Sequence, residues 1–229
     1  TTWNPSAMGS VNDLKIIGST AYLGGSFRQV GNRARQFLAS VDATSGVVLD
    51  WNPNPDGSIE TIAANDSTVF VGGTFKNVSG QARRSFAAID AQSGGLRPWS
   101  ANLGHSNPNS ARSHSVALLA DTVYVGGNFN RIAGEDRRGL AALDANTGSV
   151  LPWNPSFIDP GAQFPFESGV VWSIRAEEDG LYVGGRFRLV GAEPSIGFAA
   201  FTWPEPAPPP PPPDPEPALS ALSLSSTNP

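Results

Sequence analysis

The sequence predicts an all-β fold of the β-propeller class. Three observations carry that expectation: a short aromatic–glycine unit recurs four times, each copy alternates with the strand period, and the composition suits neither helices nor disorder. The chain has 229 residues, with 25 glycines, 21 prolines and only 15% charged residues. An ordinary soluble domain carries about 25% charged residues. A helical bundle needs more Glu, Lys, Leu and Ala than this. A disordered chain is equally disfavoured, because 39% of the residues are hydrophobic, with 12 Phe, 6 Trp and 3 Tyr to fill a core. The absence of cysteine excludes a disulfide scaffold, thiolate metal sites and thiol catalysis. No run of 18 apolar residues is present, so no membrane insertion by a helix is expected. The start at Thr1, without a methionine or signal peptide, reads as a processed or excised chain.

The repeat is an aromatic-x-Gly-Gly-x-Phe unit at Tyr22 to Phe27, Phe70 to Phe75, Tyr124 to Phe129 and Tyr182 to Phe187. A glycine follows each (Gly31, Gly80, Gly134, Gly191). Three copies continue with Ala-x-x-Asp ending at Asp42, Asp90 and Asp144, then a glycine at Gly46, Gly94 or Gly148. Each of those three closes on a tryptophan, Trp51, Trp99 or Trp153. Within the third copy the alternation predicts four strands, over 116–119, 122–129, 140–143 and 150–153. Ala120-Asp121 makes the first turn. Residues 144–148 make the last, where Asp and Thr side chains can bond turn N–H groups. The Gly-Gly pair in the second strand permits a close approach by a neighbouring backbone or ring. Four antiparallel strands in about 50 residues, repeated radially, describe a propeller blade.

The fourth copy predicts strands near 170–174, 181–187 and 196–201, and then meets Pro204. Its missing outer strand is expected from the N-terminus, because Trp3-Asn4-Pro5 matches Trp51-Asn52-Pro53 and Trp153-Asn154-Pro155. This would close a four-bladed ring and remove its open edge. The alternative is that Trp3 ends a preceding blade. The organisation expected is thus a propeller over 1–203, a proline-rich linker over 204–217 and the start of a further domain or tail over 218–229. The linker, with six consecutive prolines, reads as an extended polyproline II stalk.

The Tyr-Val-Gly-Gly-x-Phe units resemble the delta-60-repeat β-propeller family. So do Arg-Arg-Gly-Leu-Ala-Ala-Leu-Asp (137–144) and Thr-Gly-x-x-x-Pro-Trp-Asn-Pro (147–155). The resemblance covers residues 1–203. It implies large bacterial secreted or surface proteins, with propellers strung among immunoglobulin-like modules and no general biochemical activity. The segment from Ala218 is similar to the start of a bacterial immunoglobulin-like domain. Ala-x-Asp-x-x-Thr-Gly before Trp also resembles the tryptophan-docking corner of quinoprotein propellers, but Trp153 sits one residue late. The shared piece is read as structural, with the indole packed between blades and its N–H on a backbone acceptor.

Residues that recur in every blade are assigned to the scaffold. His105 and His114, nine apart in the insert 100–115, have no Cys, Asp or Glu in that insert, so they are read as loop histidines without a metal. No nucleophile elbow, phosphate loop or His-Glu-x-x-His helix occurs. Asp159 and Glu167 could form a carboxylate pair, but with 20 acidic residues such pairs are cheap to find. No enzymatic activity and no cofactor are therefore expected. Most basic residues, among them Arg28, Arg33, Arg35, Arg83, Arg84, Arg137 and Arg138, fall in loops expected on one face. Either that face is a basic surface, or the recurring arginines pair with scaffold carboxylates. Nucleic acid is disfavoured as a partner, since the aromatics are committed to the blades.

The expected function is an extracellular or cell-surface binding and display module, adhesive or glycan-binding. An acidic polysaccharide or cell-surface glycan and neighbouring domains of the parent protein are its expected partners. The alternatives are a structural unit of a surface fibre and a carbohydrate-active enzyme. Binding is expected on the face of the inserts 100–115 and 154–168, where the copies differ most. Phe157, Phe164 and Phe166 would serve as apolar platforms, Asn102, Asn107, Asn109 and Gln163 as amide groups, and Arg112 for a carboxylate or sulfate.

Overall fold

The computed structural model describes residues 4–107, 109–160 and 169–203. Trp3, the proline-rich 204–217, the segment 218–229, and Gln163, Phe164, Phe166 and Glu167 lie outside the described residues. All regular structure among the described residues is β. The first unit comprises β1 (Val11–Ile17), β2 (Thr20–Gly25), β3 (Gln29–Val30), β4 (Arg33–Ala34) and β5 (Leu38–Asp42). The second comprises β6 (Ile59–Ala64), β7 (Thr68–Gly73), β8 (Asn77–Val78), β9 (Gln81–Ala82) and β10 (Phe86–Asp90). The third has β11 (Leu103–Gly104), β12 (Arg112–Leu119), β13 (Thr122–Asn128), β14 (Arg131–Ile132), β15 (Glu135–Asp136) and β16 (Leu140–Asp144). The fourth has β17 (Phe157–Ile158), β18 (Val170–Glu177), β19 (Gly180–Arg186), β20 (Leu189–Val190), β21 (Glu193–Pro194) and β22 (Phe198–Thr202).

Each unit is a three-stranded antiparallel sheet: β1-β2-β5, β6-β7-β10, β12-β13-β16 and β18-β19-β22. The fourth strand expected at 150–153 shrinks to a single bridge, Leu143 to Val150, as do Val41 to Val48 and Ile89 to Leu96. In return, the loop expected between the second and third strands is a small ribbon of its own, such as β14-β15. Its turn, Ala133-Gly134, has both residues at positive φ, which matches the twist of a two-residue hairpin.

The glycine pair is explained by what surrounds it. Every first strand carries a bulge, with the register slipping between Val11 and Asp13, Ile59 and Thr61, Ser113 and Ser115, and Val171 and Ser173. The bulge pushes a carbonyl against the second glycine. A Cβ on Gly73 would lie 2.1 Å from the Ser58 oxygen, and one on Gly127 2.0 Å from that of Arg112. The first glycine lies under the next unit. A Cβ on Gly24 would meet Ile59 at 2.5 Å, and one on Gly126 would meet Val171 at 2.6 Å. The close approach expected from the sequence is therefore made by a carbonyl and by aliphatic side chains.

First strands pack in series, β1 on β6, β6 on β12 and β12 on β18, and all four contribute to one shared depression. Between units the core is continuous. Tyr22, Leu38 and Trp51 of the first unit join Ile59, Val71 and Phe75 of the second, and Tyr124 and Leu140 of the third join Val171 and Val183 of the fourth. The tryptophans rivet these joints. Trp51 donates its indole N–H to the Asp90 carbonyl at 2.9 Å and meets the Tyr22 ring edge-on at 5.0 Å. Trp99 lies across Gly148, although its N–H finds no acceptor among the described residues.

The closure expected through Trp3 falls outside the described residues, and residues 4–8 run beside the first unit. Pro5 O accepts from the Gly31 N–H and Met8 N–H donates to Gln29 O, so this segment lines the first unit's own ribbon. It matches Pro55, which bridges to Val78 in the second unit.

Asp42, Asp90 and Asp144 each accept N–H bonds from residues two and three further on, plus the hydroxyl of Ser45, Ser93 or Thr147. Those bonds, led by the backbone N–H of the same Ser or Thr, hold all three carboxyls below the ordinary range. Their contribution to stability is complete above the unfolded pKa of about 3.9 and is lost as pH falls through the lower folded values. Thermal melts are expected to be level from neutral pH to about pH 5, and to fall below about pH 4. Asp90→Ala is expected to lower the neutral-pH melting temperature and flatten the acid limb.

Candidate functional site

The bulges select the site. The extra residue of each bulge is Asn12, Glu60, His114 or Trp172, four different side chains at one position of a repeat whose neighbours recur. A bulge leaves its extra residue out of the ladder and re-aims its side chain. Asn12 Nδ2 donates to the Ile59 carbonyl at 2.9 Å, and His114 Nδ1 lies 2.6 Å from Glu60 Oε2. Trp172 makes no such bond among the described residues and is 56% exposed.

Beside Trp172 lies a cavity of about 310 Å³, lined by Asn109, Ser110, Arg112, His114, Asn128, Val170, Trp172 and Arg186. It brings the end of the first long insert, through Asn109 and Arg112, against the fourth unit. Arg186 reaches Asp159 at 4.0 Å, and Arg188 reaches the same carboxylate at 3.5 Å. Asn128 Nδ2 donates to the Ser110 carbonyl at 3.3 Å and so fixes the insert's exit. An apolar ring, two guanidiniums and several amides share one shallow wall.

Of the residues expected in a site, Arg112 and Asn109 line this cavity. Asn107 instead caps its own turn, its Oδ1 accepting from Asn109 N–H at 3.1 Å. Asn102 Oδ1 accepts from Arg84 N–H at 2.6 Å and serves the scaffold. Phe157 must be corrected: it is 0% exposed in β17 and packs edge-on to Phe187 at 4.7 Å, so it is core and offers no surface platform. His114 must also be corrected, because the insert ends in strand β12 and the histidine lies within that strand. Gln163, Phe164 and Phe166 fall outside the described residues. Trp172 and Arg186 were missed, since Val-Val-Trp-Ser reads as an ordinary strand until its bulge is seen.

The two readings of the loop arginines are separated by contacts. Arg35, Arg83 and Arg137 each donate to a carbonyl fourteen residues on, at Leu49, Arg97 and Leu151. They tie each ribbon to the following segment, through backbone carbonyls. Arg33 pairs with Asp50, and Arg131 with Asp136 at 2.8 Å. Much of the expected basic face is thus spent on the scaffold. A second cavity of about 490 Å³ lies over Gly104, His105, Ser106, Asn130, Arg131, Asp136 and Arg138. Arg131, one of its two arginines, pairs with Asp136 as Arg186 pairs with Asp159, and what sets this cavity apart is that no Trp, Tyr or Phe lines it.

No sequence family matches the chain, and no curated protein does. Among solved structures, the chain is similar to the computationally designed Ika4 protein, at 12% identity. The match covers 87% of this chain and 94% of that one, with a TM-score of 0.50. The computationally designed Ika8 protein aligns over 81% of this chain at 14% identity and a TM-score of 0.45, and the matched region spans 48% of its length. The likeness to Ika4 is one of fold.

Proposed function

We propose that this chain is a propeller-type display module, its four units serving as blades, that binds acidic glycans at the cavity between the third and fourth units. The observation that carries the reading is Trp172, an indole exposed at the bulge of the fourth unit beside the guanidiniums of Arg112 and Arg186. Sugar rings stack their apolar faces on indoles, while guanidinium forks match carboxylate or sulfate groups. Asn109 and Asn128 supply the amides that orient hydroxyls. Binding without catalysis fits the state of the nearby carboxylates, since Glu60 is engaged by His114 and Asp159 faces two arginines. Display outside the cell is part of the same proposal and draws on the proline run of the sequence. The recurrence of the scaffold residues supports a rigid frame on which only the bulge position and the inserts vary.

Titration with uronate-containing or sulfated oligosaccharides is expected to show saturable binding that weakens as salt rises, because the charges are screened. Trp172→Ala and Arg112→Ala are each expected to weaken it by about tenfold or more, in line with loss of a stacking platform or a charge-assisted bond. Neutral oligosaccharides should depend on Trp172 and be indifferent to Arg112. No binding of either class, or binding unchanged by both substitutions, would leave a purely structural role.

A further inference from the structure

The joint between units follows one pattern three times. A side chain on the bulge of one first strand accepts the main-chain N–H of the next first strand. Ile62 N–H donates to Asp13 Oδ2 at 2.6 Å, Val116 N–H to Thr61 Oγ1 at 3.0 Å, and Ile174 N–H to Ser115 Oγ at 3.0 Å. In two of these joints, aliphatic side chains of the incoming strand fill the space above a glycine, Ile59 and Ile62 over Gly24 and Val171 and Ile174 over Gly126.

Both halves of a fourth such joint stand open among the described residues. On the fourth unit Ser173 is exposed, and above Gly184 the nearest atom is the Cβ of Ser173 at 3.9 Å. Phe198 is 58% exposed there, where its counterparts Leu38, Phe86 and Leu140 are 0%. On the first unit Val11 and Leu14 are 41% and 53% exposed, against 0% and 5% for Ile59 and Ile62 at the same positions. The Leu14 N–H, with no other unit packed on it among the described residues, turns to Asp13 Oδ1 at 2.8 Å. Charge is mixed at this joint, with Lys15 on β1 and, across it, Glu178 and Asp179 beside the Arg175–Glu177 pair.

We propose that a second copy of this chain seats its β1 against β18 and β19, with Ser173 accepting from Leu14 N–H and with Val11 and Leu14 over Gly184. The partner is a second copy because the chain itself carries both complementary surfaces, and because the pattern continues an interface it already makes three times. Such a head-to-tail contact is heterologous, so two or more copies can satisfy every surface by closing a ring.

Sedimentation velocity on the full chain over a concentration series tests this. The expected result is reversible association, weakened by at least about tenfold by Leu14→Glu and, separately, by Gly184→Val. Gly184→Val is informative because its own unit has room for the added Cβ, whereas a docked strand does not. Circular dichroism should show both variants folded. An equimolar mixture of the two is expected to associate again, since each retains the surface the other lacks. A wild-type chain that stays monomeric throughout, or an assembly indifferent to both substitutions, would overturn the proposal.

Discussion

Replacing Trp51 with alanine is expected to cost about 3–5 kcal/mol and to lower the melting temperature by roughly 10 °C or more. The indole is 6% exposed and lies in the joint between the first two units. Its removal takes away the edge-on contact with Tyr22, the packing against Gly94 and the hydrogen bond to Asp90 O. The Asp90 carbonyl would keep its bond from Gly94 N–H and lose that of the indole. Trp51→Phe should recover most of the packing and lose the N–H bond, a residual deficit of about 1 kcal/mol. Chemical denaturation of both variants checks the ordering. Equal losses in the two would place the energy in the hydrogen bond rather than in packing.

Gly73→Ala is expected to be at least as damaging, about 3 kcal/mol or more, although it adds one methyl group. That methyl would lie 2.1 Å from the carbonyl oxygen of Ser58, which is fixed by accepting the Thr74 N–H at 2.9 Å. A rotamer change cannot relieve a clash between Cβ and backbone, so the bulge itself would have to open. Gly80→Ala provides the control. It sits at φ +73° with nothing within 4 Å, so it should cost only the left-handed penalty of about 1–2 kcal/mol. If Gly80→Ala were the worse of the two, backbone conformation would outweigh the bulge as the reason for the motif.

Those two residues also show how far the fold could be read from sequence. The recurrence of Gly-Gly-x-Phe and of Trp located every unit and every joint, because both residue types are dictated by contacts that each unit must make. The two-residue ribbons escaped notice. Gly31-Asn32, Ser79-Gly80 and Ala133-Gly134 are weak hairpin signals, and strands of two residues have no measurable alternation. The fourth strand was overread because 150–153 alternates properly but pairs only at Val150. For the site, insert length pointed to Asn109 and Arg112, and both line the cavity beside Trp172. It pointed wrongly to Phe157, since an aromatic residue in a long insert reads the same whether it faces solvent or core. Trp172 was hidden because a bulge leaves no mark in local sequence; comparison of the four copies at that one position, Asn12, Glu60, His114 and Trp172, was the available signal.

The riveting of each unit by the next carries a temporal cost during synthesis. Trp51 finds its acceptor 39 residues later in the chain, and the Thr61–Val116 joint closes only after 55. At about 5–20 residues per second, a ribosome leaves each finished sheet with its indole and the Tyr or Phe ring beside it unclad for roughly 2–11 seconds. The nascent chain therefore passes repeatedly through states with one sticky flank, and growth of the protein resembles a zipper whose leading tooth is always unengaged. Slower translation lengthens each exposure without altering the final structure, which makes the codons between one tryptophan and the following Asp-to-Gly turn a place where elongation speed bears directly on yield.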